Sequence, residues 1–168
     1  MKKIIYLILF PFLFISCSNN GVIKNNAEAW VKTNVLPYFE NSSIDTELTQ
    51  IVKIKNQIQC NERNKILIGS YTTGSIFSMF SRGLSEQDSS LIDFASRLKI
   101  VANSQEKALS YNPEYTYISV YVNYKNKYMD NGHFSYLVVV DKNNKVLNCK
   151  IVKEYREDLK MNVYLTEE

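Results

Sequence analysis

At Pro113 the apolar residues of this chain change their period, and that switch constrains the fold more than any other feature of the sequence. Before it, Leu91, Phe94, Ala95, Leu98, Val101, Ala102, Ala108 and Leu109 recur at three- and four-residue spacing, which places them on one face of a helix of about six turns. Ser85 with Asp88 forms a capping-box variant with a shorter acid, and Asn112 and Pro113 close the helix. After the switch the period is two, and residues 115–125, 134–141 and 145–155 read as strands. Two turn signals separate them, Asp130, Asn131, Gly132 and then Asp141, Lys142, Asn143, Asn144. The run 134–140 is apolar on both parities, so it is expected to be the central strand of a meander, with a further short strand between Leu159 and Leu165.

Upstream, Asn26 is placed to cap a helix beginning at Ala27, with Ala27, Trp30, Val31, Val35 and Tyr38 at helical spacing and Pro37 ending or kinking it near Leu36. The stretch 48–60 fits both periods. Leu48, Ile51, Val52 and Ile58 suit a helix, Leu48, Val52, Ile54, Ile58 and Cys60 share strand parity, and the β-branched content favours a strand. Residues 66–80 carry no charge and are interrupted by Gly69 and Gly74, which reads as a buried strand and turn leading into a helical turn. An early helix, a long helix and then a meander make an α+β pattern with the helices on one sheet face. Over residues 26–165 this element order resembles the cystatin-like and NTF2-like cones. That resemblance implies an N-terminal helix and one long helix packed on one face of a curved antiparallel sheet. Such architectures host enzymes, binders and scaffolds alike, so they do not decide activity.

The first residues belong to a different kind of element. Lys2 and Lys3 precede the apolar run 4–15, and Ser16, Cys17, Ser18, Asn19 and Asn20 follow it, which is the order of an export signal. A spanning helix needs about 20 apolar residues, and this run of 12 contains Pro11, so it is too short to remain as a transmembrane anchor. The stretch Leu13, Phe14, Ile15, Ser16, Cys17 resembles the lipobox of bacterial lipoproteins, with Ser16 at the small position and Phe14 where Leu is commonest. The resemblance implies a signal peptide over 1–16 and acylation of Cys17. It also implies a peripheral protein of the bacterial cell envelope, held by two or three acyl chains. Each buried CH₂ contributes about 0.8 kcal/mol and a single chain holds only marginally. Ser18 stands where an Asp commonly signals inner-membrane retention, so the outer membrane is expected. Residues 17–25 then form the lipidated Cys and a flexible linker, in which 18–25 reach no more than roughly 29 Å, and residues 26–168 form a single α+β domain.

Composition narrows the activity by exclusion. Without residues 1–16 the chain keeps 18 basic and 17 acidic residues, a formal balance of +1. Its densest basic group, Lys142, Lys145, Lys150 and Lys153, is followed by Glu154, Glu157 and Asp158, and reads as a solvated strand face, so no nucleic-acid partner is expected. His133 is the only histidine, and no Cys and His set has the spacing of a zinc site, so no metal and no cofactor is expected. Gly69 to Gly74 lacks the Lys and Ser or Thr of a phosphate loop. With Cys17 acylated, Cys60 and Cys149 remain, either as a disulfide or as two buried free thiols.

Tyrosine is the enriched residue, with seven of twelve between Tyr111 and Tyr136. Tyr115, Tyr117 and Tyr121 share a strand face with Ser119 and Asn123, a combination of amphipathic rings and hydrogen-bonding neighbours that suits recognition of an envelope protein or glycan. The alternative is that tyrosine simply favours antiparallel strands. The functional expectation is a membrane-anchored, non-enzymatic binding module of the partner-capture, inhibitor or immunity type, with no catalytic residues. The rival is a small envelope hydrolase that uses His133 with a nearby carboxylate such as Asp130.

Overall fold

A computed structural model describes residues 20–67, 73–107, 110–127, 129–156 and 161–167. The export signal over 1–16 and Cys17 lie outside the described residues. Helix α1 covers residues 20–34, so the stretch 20–25 expected as linker is helical and Asn26 lies inside the helix instead of capping it. Its buried residues Ile23, Ala27 and Val31, with Val35 just past its end, repeat every four positions, and this apolar stripe is longer than the one that begins at Ala27. Pro37 falls at the start of a 3₁₀ turn, Leu36–Tyr38, where its missing N–H costs nothing.

Strand β1, Ser43–Val52, pairs with β2 through Asp45↔Tyr121 and then Gln50↔Ser119, so a bulge loops out residues 46–49. Polar groups that the bulge strips of ladder partners are satisfied locally. The Asp45 carboxylate accepts the Glu47 and Leu48 N–H groups at 3.0 Å, and the buried Thr49 hydroxyl accepts the Tyr121 N–H at 3.2 Å. The strand expected to reach Cys60 stops at Val52. Asn56 caps a helix instead, its side chain accepting the Gln59 N–H at 2.9 Å, and α2 occupies Gln57–Leu67.

Helix α3, Thr73–Ser85, and helix α4, Ser89–Lys107, form a tight pair. A Cβ on Gly83 would lie 2.8 Å from Ile92 Cγ1, so glycine sets how closely the two axes approach. Gln87 takes φ 54 in the connection, and Asp88 caps α4 by accepting the Ser90 and Leu91 N–H groups at 3.1 and 3.2 Å. Ser85, expected to start that helix, belongs to the last turn of α3 and donates to the Arg82 carbonyl at 2.9 Å.

Strands β2, Thr116–Asn126, and β3, Met129–Val140, form the longest antiparallel pair, and the sheet order is β1-β2-β3. The central strand is therefore β2, not the 134–140 run. Nor is the Asp130, Asn131, Gly132 triplet the hairpin tip: Asn126 pairs with Met129, and Gly132 sits opposite Tyr124 inside the ladder. Glycine is required there by the Tyr124 ring, whose Cζ lies 2.3 Å from where a Cβ would stand.

The expected cone is also corrected. The fold is mixed α+β with two small antiparallel sheets, and neither is closed or strongly curled. Among the described residues, strands β4, Lys150–Arg156, and β5, Met161–Glu167, pair only with each other. The reason lies at one residue. After the Asp141–Asn144 turn the chain makes a single bridge, Val140↔Val146, and Leu147 N–H donates to the Val139 carbonyl at 2.9 Å. Then the Asn148 side chain takes over the edge of β3, accepting the Val139 N–H at 2.8 Å and donating to the Leu137 carbonyl at 2.9 Å. A side-chain amide stands in for a strand, and the main chain is free to leave.

The core lies between the sheet and helices α1, α3 and α4. Ile118, Val120, Val122 and Tyr124 of β2 and Phe134, Tyr136, Val138 and Val140 of β3 face Val31, Val35, Ile76, Phe94, Leu98 and Val101. Burying each such side chain contributes about 1.5–3 kcal/mol. The apolar alternate parity of 134–140 has a second cause. Leu137 and Val139 face the other way, under Cys60 of α2, with Tyr117 beside them.

Candidate functional site

The alternation of β2 puts Tyr117, Ser119, Tyr121 and Asn123 on the sheet face away from α4, and the ladders add Ser43, Asp45, Gln50 and Val52 from β1 and His133, Ser135, Leu137 and Val139 from β3. The structure divides this face in two. At the Tyr117 end, α2 covers it. Tyr117 is 3% exposed, Tyr115 is half-buried against the same cluster, and the Tyr111 N–H donates to the Gln57 side chain of α2 at 2.8 Å. The Tyr117 hydroxyl accepts the Asn112 N–H at 2.9 Å and lies 3.2 Å from the Ser110 carbonyl, so it holds the loop that enters β2. Burial pushes its pKa up, partly offset by the Asn112 bond. The Cys60 thiol is also raised by burial, which suppresses the thiolate and with it nucleophilic chemistry.

At the other end the face is open. His133 is exposed, and its ring stacks on Tyr121 with centroids 5.5 Å apart and planes 16° off parallel. Asn123 pairs directly with His133 and Ser135 with Tyr121, and both are half-buried. Of the four tyrosine-face residues singled out from sequence, Tyr121 and Asn123 therefore come together on accessible surface, joined by His133. Tyr115 and Tyr117 lie under α2. Asp45, across from Tyr121, has its carboxylate oriented by the bulge, and among the described residues none makes a hydrogen bond or ion pair to His133. The Asp130 side chain, proposed as its acid partner, is outside the described residues.

A separate cleft of about 510 Å³ opens at the β2–β3 turn between Tyr38, Phe39 and the first turns of α4. Two ion pairs lie at it: Arg97 pairs with Asp93 at 2.6 Å and reaches the Tyr38 carbonyl at 3.5 Å, and Lys127 pairs with Asp88 at 3.2 Å, while the Glu40 carboxylate also lines it. Sequence reading missed this grouping, because Asp88 and Lys127 meet only through the packing of α4 beside the hairpin. Among the described residues no three His, Cys, Asp or Glu side chains converge as metal ligands, and no helix is long and apolar enough to cross a membrane.

Cys60 and Cys149 are both free. Cys60 lies on the Tyr117 face, packed with Leu137 and Val139. A disulfide needs Cα atoms about 4.4–6.8 Å apart, and the structure records no bond between the two thiols, Cys60 buried and Cys149 half-buried. Comparison with protein-family models, with curated proteins and with solved structures returned no match.

Proposed function

We propose that the chain is a lipid-anchored protein of the bacterial envelope that captures a protein or glycan partner without catalysis, on the open half of the sheet. The observation that carries this reading is the stacked Tyr121 and His133 pair, flanked by Asn123 and Ser135 on accessible strand surface. Two rings already packed together present rigid contact area at little entropic cost, and the neighbouring amide and hydroxyl supply directional hydrogen bonds. The imidazole serves as a stacking surface, exposed beside the half-buried Tyr121, Asn123 and Ser135. Acylated Cys17 supplies the bilayer attachment, and the outer membrane is the proposed location.

The test is capture from detergent-solubilised envelope by the intact acylated protein, compared with Tyr121→Ala and His133→Ala. Truncating an aromatic anchor at an interface costs at least about 2 kcal/mol of binding, roughly a 30-fold loss. Both variants are expected to lose the partner and to keep their melting temperature. Retained capture in both overturns the surface. A hydrolytic turnover lost only in His133→Ala replaces capture with hydrolysis. Radiolabelled fatty acid should enter the wild type and not Cys17→Ser.

A further inference from the structure

We propose that an acidic, extended segment of a protein partner adds to the free edge of β1, lying in the groove between the end of that strand and α2. The groove has a volume of about 460 Å³, with the end of β1 and the residues just after it on one side and Gln59, Glu62 and Arg63 on the other. It shares no residue with the stacked Tyr121 and His133 pair, and nothing in it depends on the lipid anchor. The main chain supplies one half of the site. In the order β1-β2-β3, β1 is an edge. The Tyr121 N–H points toward β1, where the Thr49 hydroxyl accepts it, and alternation along β2 makes Gln50↔Ser119 and Val52↔Tyr117 the hydrogen-bonded pairs. The far side of the sheet agrees: the Leu137 carbonyl and Val139 N–H, opposite Ser119 and Tyr117, point out of the ladder to Asn148. Ile51 lies between the two bonded pairs, so its N–H and carbonyl face away from β2, on the side that an added strand would take. Main-chain bonds of this kind give affinity to any extended chain that can approach the edge.

Side chains decide which chain that is. Lys53, Lys55 and Arg63 line the groove against a single carboxylate, Glu62, and among the described residues none of the four is in an ion pair. Gln59, Glu62 and Arg63 are three and four positions apart on α2 and so share one helix face. The Gln59 side chain accepts the Lys55 N–H at 2.9 Å, which ties that face to the segment leaving β1. Arg63 points most directly to a ligand. Its Nε is buried and has no hydrogen-bond partner among the described residues. A buried donor without a partner is costly, and a carboxylate is the acceptor that the planar guanidinium fork matches. The same charges exclude a second copy of this chain, because edge-to-edge pairing would bring these three cations together from both molecules. Lysines along an exposed edge bar basic and neutral strands and leave it open to an acidic one.

In the experiment, the full chain in neutral detergent is titrated with a blocked octapeptide of alternating Glu and Val, and with its counterpart carrying Lys in place of Glu. Exposed ion pairs are individually weak, but three of them together should make the acidic peptide bind at least about tenfold more tightly. Lys53→Glu with Lys55→Glu should reverse that preference, whereas Lys32→Glu with Lys99→Glu, the same charge change at exposed positions elsewhere, should leave it. Hydrogen exchange at the Ile51 amide should slow by at least about tenfold with the acidic peptide bound, while the Gln50 and Val52 amides, already bonded to β2, serve as the internal reference. No binding of the acidic peptide at about 1 mM overturns the site, as does equal affinity for the two peptides or a preference untouched by the reversal at 53 and 55. Binding that leaves the Ile51 amide unchanged overturns strand addition. A sedimentation mass of two chains without peptide, reduced to one by the acidic peptide, assigns the edge to self-association and overturns the partner reading.

Discussion

The two halves of the sheet face away from α4 are built from the same strands with the same alternation, yet one is core and the other is surface. Tyr117 and Tyr121 are four residues apart on β2 and point the same way. One is closed over by Cys60 and α2, with its hydroxyl tied to the loop at Asn112, and the other is half-buried and stacks on the exposed ring of His133. The difference is made by an element on neither strand: the Asn56 cap starts a helix that ends its coverage before it reaches Tyr121. A residue's face follows from its strand parity, but whether that face is covered follows from where a distant helix begins.

Substitutions at the two tyrosines test this division most directly. Tyr117→Ala should cost about 3–5 kcal/mol in urea denaturation, since it empties a buried site and strips the Asn112 N–H of its acceptor. A loss below about 1 kcal/mol would mean that α2 does not seal that half. The α4 side of the sheet calibrates what full burial does to a phenol. Burial pushes the Tyr136 hydroxyl up to about 12, against the hydrogen bonds of Ser104 and Asn148. A folded pKa above the unfolded value of about 10 stabilises fully below pH 10, and that contribution is lost as pH rises toward 12, at about 1.4 kcal/mol per unit. Tyr136→Phe should flatten the stability profile between pH 10 and 12, and an unchanged slope would place the hydroxyl in water.

Smaller effects are expected at the edges. Asn148→Ala leaves the Val139 N–H and Leu137 carbonyl without partners at a buried edge and should cost about 2 kcal/mol, with Asn148→Asp recovering only the acceptor half of the arrangement. Gly132→Ala should cost about 1–3 kcal/mol by displacing the Tyr124 ring, and a neutral result would show that ring to be free to move. Tyr121→Ala should change stability by no more than about 0.5 kcal/mol, which is the sharpest contrast with Tyr117 on the same strand.

Helix α4 and strands β2 and β3 were legible in the sequence because each has a long apolar period and a polar boundary. The parity of the tyrosines was legible for the same reason. What the period does not carry is how such elements join. Helix α2 was hidden because its apolar residues fit both periods and the decision fell to one cap at Asn56. The 134–140 run looked central because both its faces are apolar, but one of them is sealed by α2 and its edge by Asn148. The triplet Asp130, Asn131, Gly132 has the composition of a turn, and its glycine is there for the Tyr124 ring. The open site was half legible: Tyr121 and Asn123 follow from parity, whereas the stack with His133 depends on a register that the misplaced turn had concealed.

The amide of Asn148 also divides the molecule in time. Where two sheets are joined by main-chain ladders they tend to open together, but here the β4–β5 ribbon leaves β3 after a single bridge and a side-chain clasp. The ribbon is held to the rest of the fold by packing, with Ile151 in the main core and the Tyr38 hydroxyl on the Ile151 carbonyl, and not by a ladder, so it is expected to open at lower free energy than the three-stranded sheet. The Val139 amide proton, held by a side chain and not by a strand, is the hinge pin between them. Its hydrogen-exchange rate should follow the opening of the ribbon, while the amides that β3 donates to β2 exchange only with the unfolding of the whole sheet.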